Sequence, residues 1–372
     1  MGWRLQSEIA YPMPIPITPA MSLNRVKIVD LPGLDIPDHI KGKVSGQLVS
    51  SPVLTELIRR NITDLQLDSD LSDHELHLAF DESLISEVAS VRSAAESIAQ
   101  HIGSNMGYIL LALKRGDEVN RNAREEWNFA YWDHWAQINR VWLGGGLVSG
   151  NLGTRISGYA LQVMHKAGIH NYAIQISSYG ADLPLVGAAR HTPRGNTVAI
   201  VLDFGSTLVK RACAMYADDH LIGLRRLRSV PLSWAEGDTL EQAKALIDQM
   251  VSIIVQAWAE AKILQRVFAP VIPVSVAAYI KNGQPMITQG GNYYKTIRAT
   301  DNLQAELSRR VSESIHEPAS IMLIHDGTAA AAAYVGEPHT AVITLGTALG
   351  IGFPPEDSEI LPTRSTIAIT DA

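Results

Sequence analysis

Apolar residues along this chain switch repeatedly between two spacings, and the switches outline its elements. Short apolar runs ended by glycine, proline or polar residues predict strands at Arg25–Leu31, Arg140–Leu143, Ala173–Ser177, Thr197–Asp203, Arg211–Tyr216 and Leu221–Arg228. Similar runs follow at Val274–Tyr279, at Ile321–Ile324 and within Ala341–Gly352. Spacings of three and four predict helices over Ser51–Asn61, opened by Ser51-Pro52, and from Glu82 to Leu113, as one long helix or a pair. Gly103 and Gly107 thin one face of that stretch, as close helix packing requires. Helices are also expected over Asn122–Gln137, Gly158–Gly168, Leu183–Arg190, Thr239–Val267, Asn302–Ser314 and after Asp326. Residues 11–19 (YPMPIPITP) alternate proline with apolar residues and suit an extended arm. The acidic stretch Asp64–Glu75 suits a solvated loop or a helix entry.

Strands mixed with helices on both sides of a polar connector, residues 191–196 (HTPRGN), predict α/β lobes. A length of 372 residues agrees with two domains. A hydrophobic fraction of 46% and a charged fraction of 19% are those of an ordinary globular protein. Net charge of −7 provides no general basic surface for nucleic acid or anionic membrane. No apolar run reaches the roughly 20 residues that span a bilayer, and the first residues lack the apolar core of a signal peptide. A cytoplasmic location is therefore expected. Cys213 is the single cysteine, which excludes an internal disulfide framework and a multi-cysteine zinc site. Trp127, Tyr131, Trp132 and Trp135 crowd one segment, either as a platform for a ring-shaped ligand or as an apolar stripe anchoring a helix.

Four segments carry candidate chemistry. In Val198–Thr207 a strand delivers Asp203 to a turn, Gly205-Ser206-Thr207, rich in hydroxyl groups and backbone N–H donors. That combination suits a magnesium-bearing triphosphate: the carboxylate faces the metal, directly or through water, and the turn holds phosphate oxygens. Lys210 either adds positive charge to the phosphates or points to solvent. In Ile321–Tyr334, His325-Asp326 ends a strand and opens a helix, where the dipole favours an ionised carboxylate able to act as a general base. Gly346-Thr347 begins a second small-residue turn inside Ala341–Gly352. Gly144-Gly145-Gly146 ends a strand and, with Gly187, either lets adenosine lie between helices or simply packs helix on strand.

These segments resemble the nucleotide site of the hexokinase/actin-like superfamily, closest to the ROK sugar kinases. Asp203–Thr207 is similar to the first phosphate motif, with Ser206 where the sugar kinases usually have glycine. His325–Ala332 looks like the Asn-Asp-Ala-Asn-Ala-Ala-Ala motif, which implies Asp326 as catalytic base and puts His325 where asparagine touches the sugar. Gly346–Gly352 resembles the second phosphate motif, with Ala348 and Leu349 in place of glycines. The family's Glu-x-Gly-His motif and three-cysteine zinc loop are missing, so no structural zinc is expected. Asn292, in the glycine-rich stretch Lys281–Tyr294, is the chosen sugar contact.

The resemblance implies an α/β, two-lobed ribonuclease H-like fold of the actin/hexokinase type with a cleft between the lobes. The GGG segment closes the chain in the family but precedes Asp203 here, so a circular permutation joined at 191–196 is expected. One lobe would comprise 1–180 plus 339–372, the other 181–338. The implied activity is transfer of phosphate from ATP, with Mg²⁺, to a hydroxyl of a sugar or polyol. The partners implied are that small molecule and, as an allowed assembly, a second copy in a homodimer. The alternative is a degenerate member that binds nucleotide as a sensor, scaffold or assembly protein.

Overall fold

The computed structural model describes residues 17–234, 237–264, 266–288, 291–356 and 360–371; most of the proline-rich arm, residues 11–16, lies outside them. Strands β1 (Lys27–Ile28) and β2 (Lys43–Val44) pair ahead of helices α1 (Ser51–Arg60), α2 (Asp73–Ser83), α3 (Ala89–Arg115), α4 (Glu118–Asn122) and α5 (Phe129–Gln137). Then come β3 (Arg140–Gly144), α6 (Asn151–Lys166), β4 (Ala173–Ile176) and α7 (Leu183–Ala189). Strands β5 (Val198–Phe204), β6 (Leu208–Ala217) and β7 (His220–Pro231) form a meander before α8 (Leu240–Ala261). Next are β8 (Val271–Val276), the hairpin of β9 (Ile280–Lys281) and β10 (Gln284–Pro285), α9 (Leu303–Ile315), β11 (Ser320–His325) and α10 (Asp326–Ala332). The described chain ends with β12 (Thr340–Leu345), β13 (Leu349–Gly352) and β14 (Thr363–Asp371).

Two boundaries depart from the periodicity, each through a cap. A capping box between Ser72 and Glu75 starts α2 inside the acidic stretch and separates it from α3. Helix α6 begins well before Gly158 because Asp81 accepts the backbone N–H groups of Asn151 (3.0 Å) and Leu152 (2.8 Å). That cap comes from far away in sequence, so local spacing could not locate it.

The strands form two main sheets. A six-stranded sheet runs β11-β8-β5-β6-β7-β14, parallel at β11/β8, β8/β5 and β7/β14 and antiparallel within the meander. A four-stranded sheet runs β13-β12-β3-β4. Within it β12 pairs in parallel with β3, Thr340 opposite Arg140 and Thr344 opposite Gly144. Residues from the later part of the chain thus complete a sheet begun near residue 140. Strand β14 corrects the expected grouping of 339–372: it pairs with β7 and joins the other sheet, Ile369 opposite Leu224. Its mostly exposed alternation gave no buried run for the sequence to display.

Aromatic residues of the tryptophan-rich segment serve the core. Trp132 and Trp135 are buried, and Trp135 packs edge-on against Phe353. Cys213 is also buried. Among the described residues no helix is long and apolar enough to cross a membrane.

Helix α10 lies between the two sheets, clamped by glycines on both sides. A Cβ at Gly187 of α7 would fall 1.5 Å from the Ala329 carbonyl oxygen, and one at Gly352 of β13 would fall 1.9 Å from the Gly327 carbonyl oxygen. Buried Arg190, just after α7, donates from Nη1 to the carbonyls of Ala332 (2.7 Å) and Ala333 (3.0 Å), satisfying the open end of α10. Because backbone itself is the obstacle, Gly187→Ala should destabilise the protein by about 1–3 kcal/mol. Urea unfolding measures this; a change within a few tenths would show that the two helices separate freely.

Candidate functional site

The cleft is built where parallel strands end. Asp203 is the penultimate residue of β5 and lies opposite Lys210 on β6 and Ser275 on β8. Those registers satisfy its carboxylate: Ser275 Oγ donates to Oδ1 (2.7 Å) and Lys210 Nζ to Oδ2 (3.1 Å). Lys210 also donates to the Ala181 carbonyl (2.7 Å) and is turned inward, which settles its two expected orientations against solvent. Two strands away, β11 hands the chain to α10 at His325-Asp326. Ligand sites collect at such carboxyl ends of strands.

His325 is the cap of α10. Its Nδ1 accepts the Thr328 N–H (3.2 Å), so the ring proton of the neutral form belongs on Nε2, which lies 3.2 Å from Asp326 Oδ1. The ring stacks on Tyr279 at 4.5 Å, and burial pushes the imidazole pKa down to about 3, keeping it neutral. Asp326 Oδ1 also accepts the Gly327 N–H (2.7 Å). Oδ2 has no hydrogen bond among the described residues; a Cβ at Gly350 would lie 3.8 Å from it.

The expected ease of ionising Asp326 is corrected. Its pKa is pushed up to about 7, first by burial and then by the nearby charge of Asp203. The Gly327 N–H and Lys210 act in the opposite direction but prevail over neither. A single turn of helix dipole is outweighed by loss of water and a second carboxylate.

Asp203 and Asp326 line one cavity of about 1120 Å³. The turn between β5 and β6 supplies Gly205, Ser206 and Thr207 to its wall; Gly205 N–H donates to the Leu208 carbonyl (3.1 Å), and Tyr293 Oη donates to the Gly205 carbonyl (2.8 Å). The turn between β12 and β13 supplies Gly346 and Thr347. Neither Ala348 nor Leu349 adopts a positive φ, so replacing the usual glycines leaves that turn unstrained. Gly145, at φ 96° with its N–H on the Gly180 carbonyl (3.1 Å), and Gly146 line the cavity too, as do Lys210, His325 and Asn292.

Two expected contacts fall elsewhere. Gly187 belongs to the α7–α10 clamp, and Gly144 packs under Leu183, whose Cδ2 would be 2.4 Å from a Cβ there. Both are packing glycines because a helix crosses directly over them. The sequence reading missed Ser275, Tyr279 and the segment Pro19–Arg25, part of which also lines the cavity. Ser275 and Tyr279 sit at and just beyond the end of β8, a parallel strand, a placement that could have marked them. The segment Pro19–Arg25 carries no local signal.

No family model and no curated protein matches the chain. Among solved structures it is similar to an inorganic polyphosphate/ATP-glucomannokinase from Arthrobacter sp. strain KM, at 21% identity and TM-score 0.32 over 45% of this chain and 62% of that one. It is also similar to a ROK hexokinase from Thermus thermophilus, at 18% identity and TM-score 0.26 over 44% and 49%. A third is the PPX-GPPA enzyme of Aquifex aeolicus, at 12% identity and TM-score 0.21 over 34% and 36%. In each case the match spans less than two thirds of the other protein's length.

The raised pKa of Asp326 fixes a sign. A carboxyl with a folded pKa near 7 and an unfolded value near 3.8 binds its proton more tightly in the folded state. Stability should therefore fall as pH rises from about 4 to about 7, and Asp326→Asn should flatten that slope. Carboxyl carbon NMR should place the Asp326 titration near 7 and move it down in Asp203→Asn; an unmoved titration would remove the coupling between the two carboxylates.

Proposed function

We propose that this chain is a phosphotransferase that moves the terminal phosphoryl group of ATP to a hydroxyl of a sugar or polyol. The observation that carries the reading is the shared cavity. It joins a lysine-paired carboxylate, a second carboxylate with a pKa near 7, and two hairpin turns of small residues.

Asp326 is the general base. With Oδ1 occupied by Gly327 N–H and facing His325 Nε2, Oδ2 receives the hydroxyl proton. A pKa near 7 suits this role, since about half of the group is ionised near neutral pH and the ionised form is still basic. His325 is assigned to orienting the base, in place of the sugar contact implied by the family motif. Lys210 places positive charge at the phosphate side, and Gly205–Thr207 with Gly346–Thr347 form the cradle. Gly145 and Gly146 flank the adenosine, and Asn292 meets the acceptor.

Mg²⁺ keeps several waters and needs only one or two carboxylates beside substrate phosphates. Asp203 fits that demand: it is paired with Lys210 and placed at the cavity wall. Among the described residues no group of three His, Cys, Asp or Glu could cage a metal. When bound, the ion would neutralise charge on the transferring group. The unstrained turn at Ala348 and Leu349 removes one motive for the degenerate, sensor-like alternative.

The same reading includes the order of the motifs. We assign one lobe to the four-stranded sheet and its helices and the other to the six-stranded sheet, with a permutation joined at 191–196. Two features support it: β12 pairs with β3, and the connector runs as irregular backbone between α7 and β5. Closure of the lobes would exclude water and align hydroxyl, phosphate and Asp326.

Asp326→Asn should retain Mg-ATP binding and lower kcat by about 10²–10⁴. In the unaltered protein kcat/KM should rise with pH through about 7, as the base loses its proton. Calorimetry showing no Mg-ATP binding at millimolar nucleotide would overturn the assignment, and unchanged turnover in Asp326→Asn would remove the base.

A further inference from the structure

The end of the cavity beside Asp326 is closed by the segment Pro19–Arg25. Asn24 holds it in place: its Oδ1 accepts the Leu349 N–H (2.8 Å), and its Nδ2 donates to the Leu349 carbonyl (2.9 Å). Leu349 adjoins Gly350, where a Cβ would lie 3.8 Å from Asp326 Oδ2. Tyr279, with its ring stacked on His325, and Ser22 line the cavity at the same end. Arg25 follows Asn24 directly. It lines the cavity, and its side chain is 54% exposed.

Besides Asp326, three charged side chains meet at this end. Arg25 Nη2 pairs with Glu126 Oε1 (2.5 Å), and Arg124 Nε lies 3.5 Å from the same oxygen. Two guanidinium groups therefore share one carboxylate. Arg124 is only 1% exposed; its Nη2 donates to the carbonyls of Ala20 and Ser22 (both 2.7 Å), and it lies over the Trp127 ring at 4.2 Å. Its Nε and Nη1 make no hydrogen bond among the described residues, nor do Nε and Nη1 of Arg25. Arg25 thus presents exposed donors to the cavity at the end that holds Asp326, with its charge facing Glu126 and solvent. A carboxylate suits the guanidinium, accepting a charge-assisted N–H bond from one of these open donors.

We propose that the acceptor is a sugar acid, a polyol bearing a carboxylate that docks on Arg25 while a hydroxyl meets Asp326. This inference rests on the phosphotransfer reading for its chemistry but not for its binding step. The test uses the full chain with a panel of aldonates and uronates beside their neutral parent sugars. Calorimetry without nucleotide reads binding, and ADP release from Mg-ATP reads transfer. The acids should bind and turn over at least about tenfold better than the neutral compounds, the difference expected of one charge-assisted contact. Arg25→Gln should raise KM for the acids about ten- to a hundredfold and erase the preference, with Arg25→Lys restoring part of it. Neutral sugars favoured or equal, no acid bound at millimolar concentration, or equal losses for both classes in Arg25→Gln would each overturn the proposal. Failure of Mg-ATP to bind would instead overturn phosphotransfer, and acid binding at Arg25 would still decide this point.

Discussion

The close approach of α10 to its neighbours is the constraint on which the rest of the molecule depends. An alanine-rich helix has almost no side-chain bulk, so backbone can touch backbone through Gly187 on one side and Gly352 on the other. That contact ties the six-stranded sheet, which ends in β11, to the four-stranded sheet, which contains β13. It also sets Asp326, the first residue of α10, facing the second hairpin turn. A bulkier helix would hold the two sheets apart and with them the two halves of the cavity. Packing and site geometry are therefore one requirement, met by the same small residues.

Given that placement, the two carboxylates of the cleft are kept in different states by their surroundings. Asp203 has a lysine and a serine hydroxyl at hydrogen-bond distance, so its charge is compensated where strands β5, β6 and β8 end. Asp326 has only a backbone N–H and a neutral imidazole beside it, and it feels the charge of Asp203. Burial and the charge of Asp203 raise the pKa of Asp326, which has no cation at hydrogen-bond distance among the described residues. A carboxyl in that setting is suited to taking up and releasing a proton.

Much of the fold was legible because buried elements announce themselves. Strand β5 is buried along its whole length and reads as an apolar run up to Asp203, and Ser51-Pro52 marks α1 by its backbone chemistry. The turns carrying Asp203 and Gly346 were legible for the same reason: small residues interrupt those runs at their ends. What escaped was set by distant partners. Asp81 fixes the start of α6 from another helix, and β14 pairs along an exposed edge with no apolar signature. Gly187 and Gly144 were recognised as glycines with a purpose, but a sequence does not say whether the close neighbour is a ligand or a helix.

Pro19–Arg25 shows why half a site can be silent in sequence. Its residues mix apolar and polar types at no regular spacing, and they are held by the Asn24 side-chain amide on Leu349 and by a buried arginine beneath them. Recognition there comes from placement: Asn24 contributes its amide to structure, which leaves Arg25 as the side chain able to meet a ligand. The phosphate side is different, because donors must line a turn at fixed spacing and the motif is written locally. A cavity built from one local half and one assembled half is legible in sequence only on its local side. The cluster of Arg25, Arg124 and Glu126 emerges only when the three are seen together.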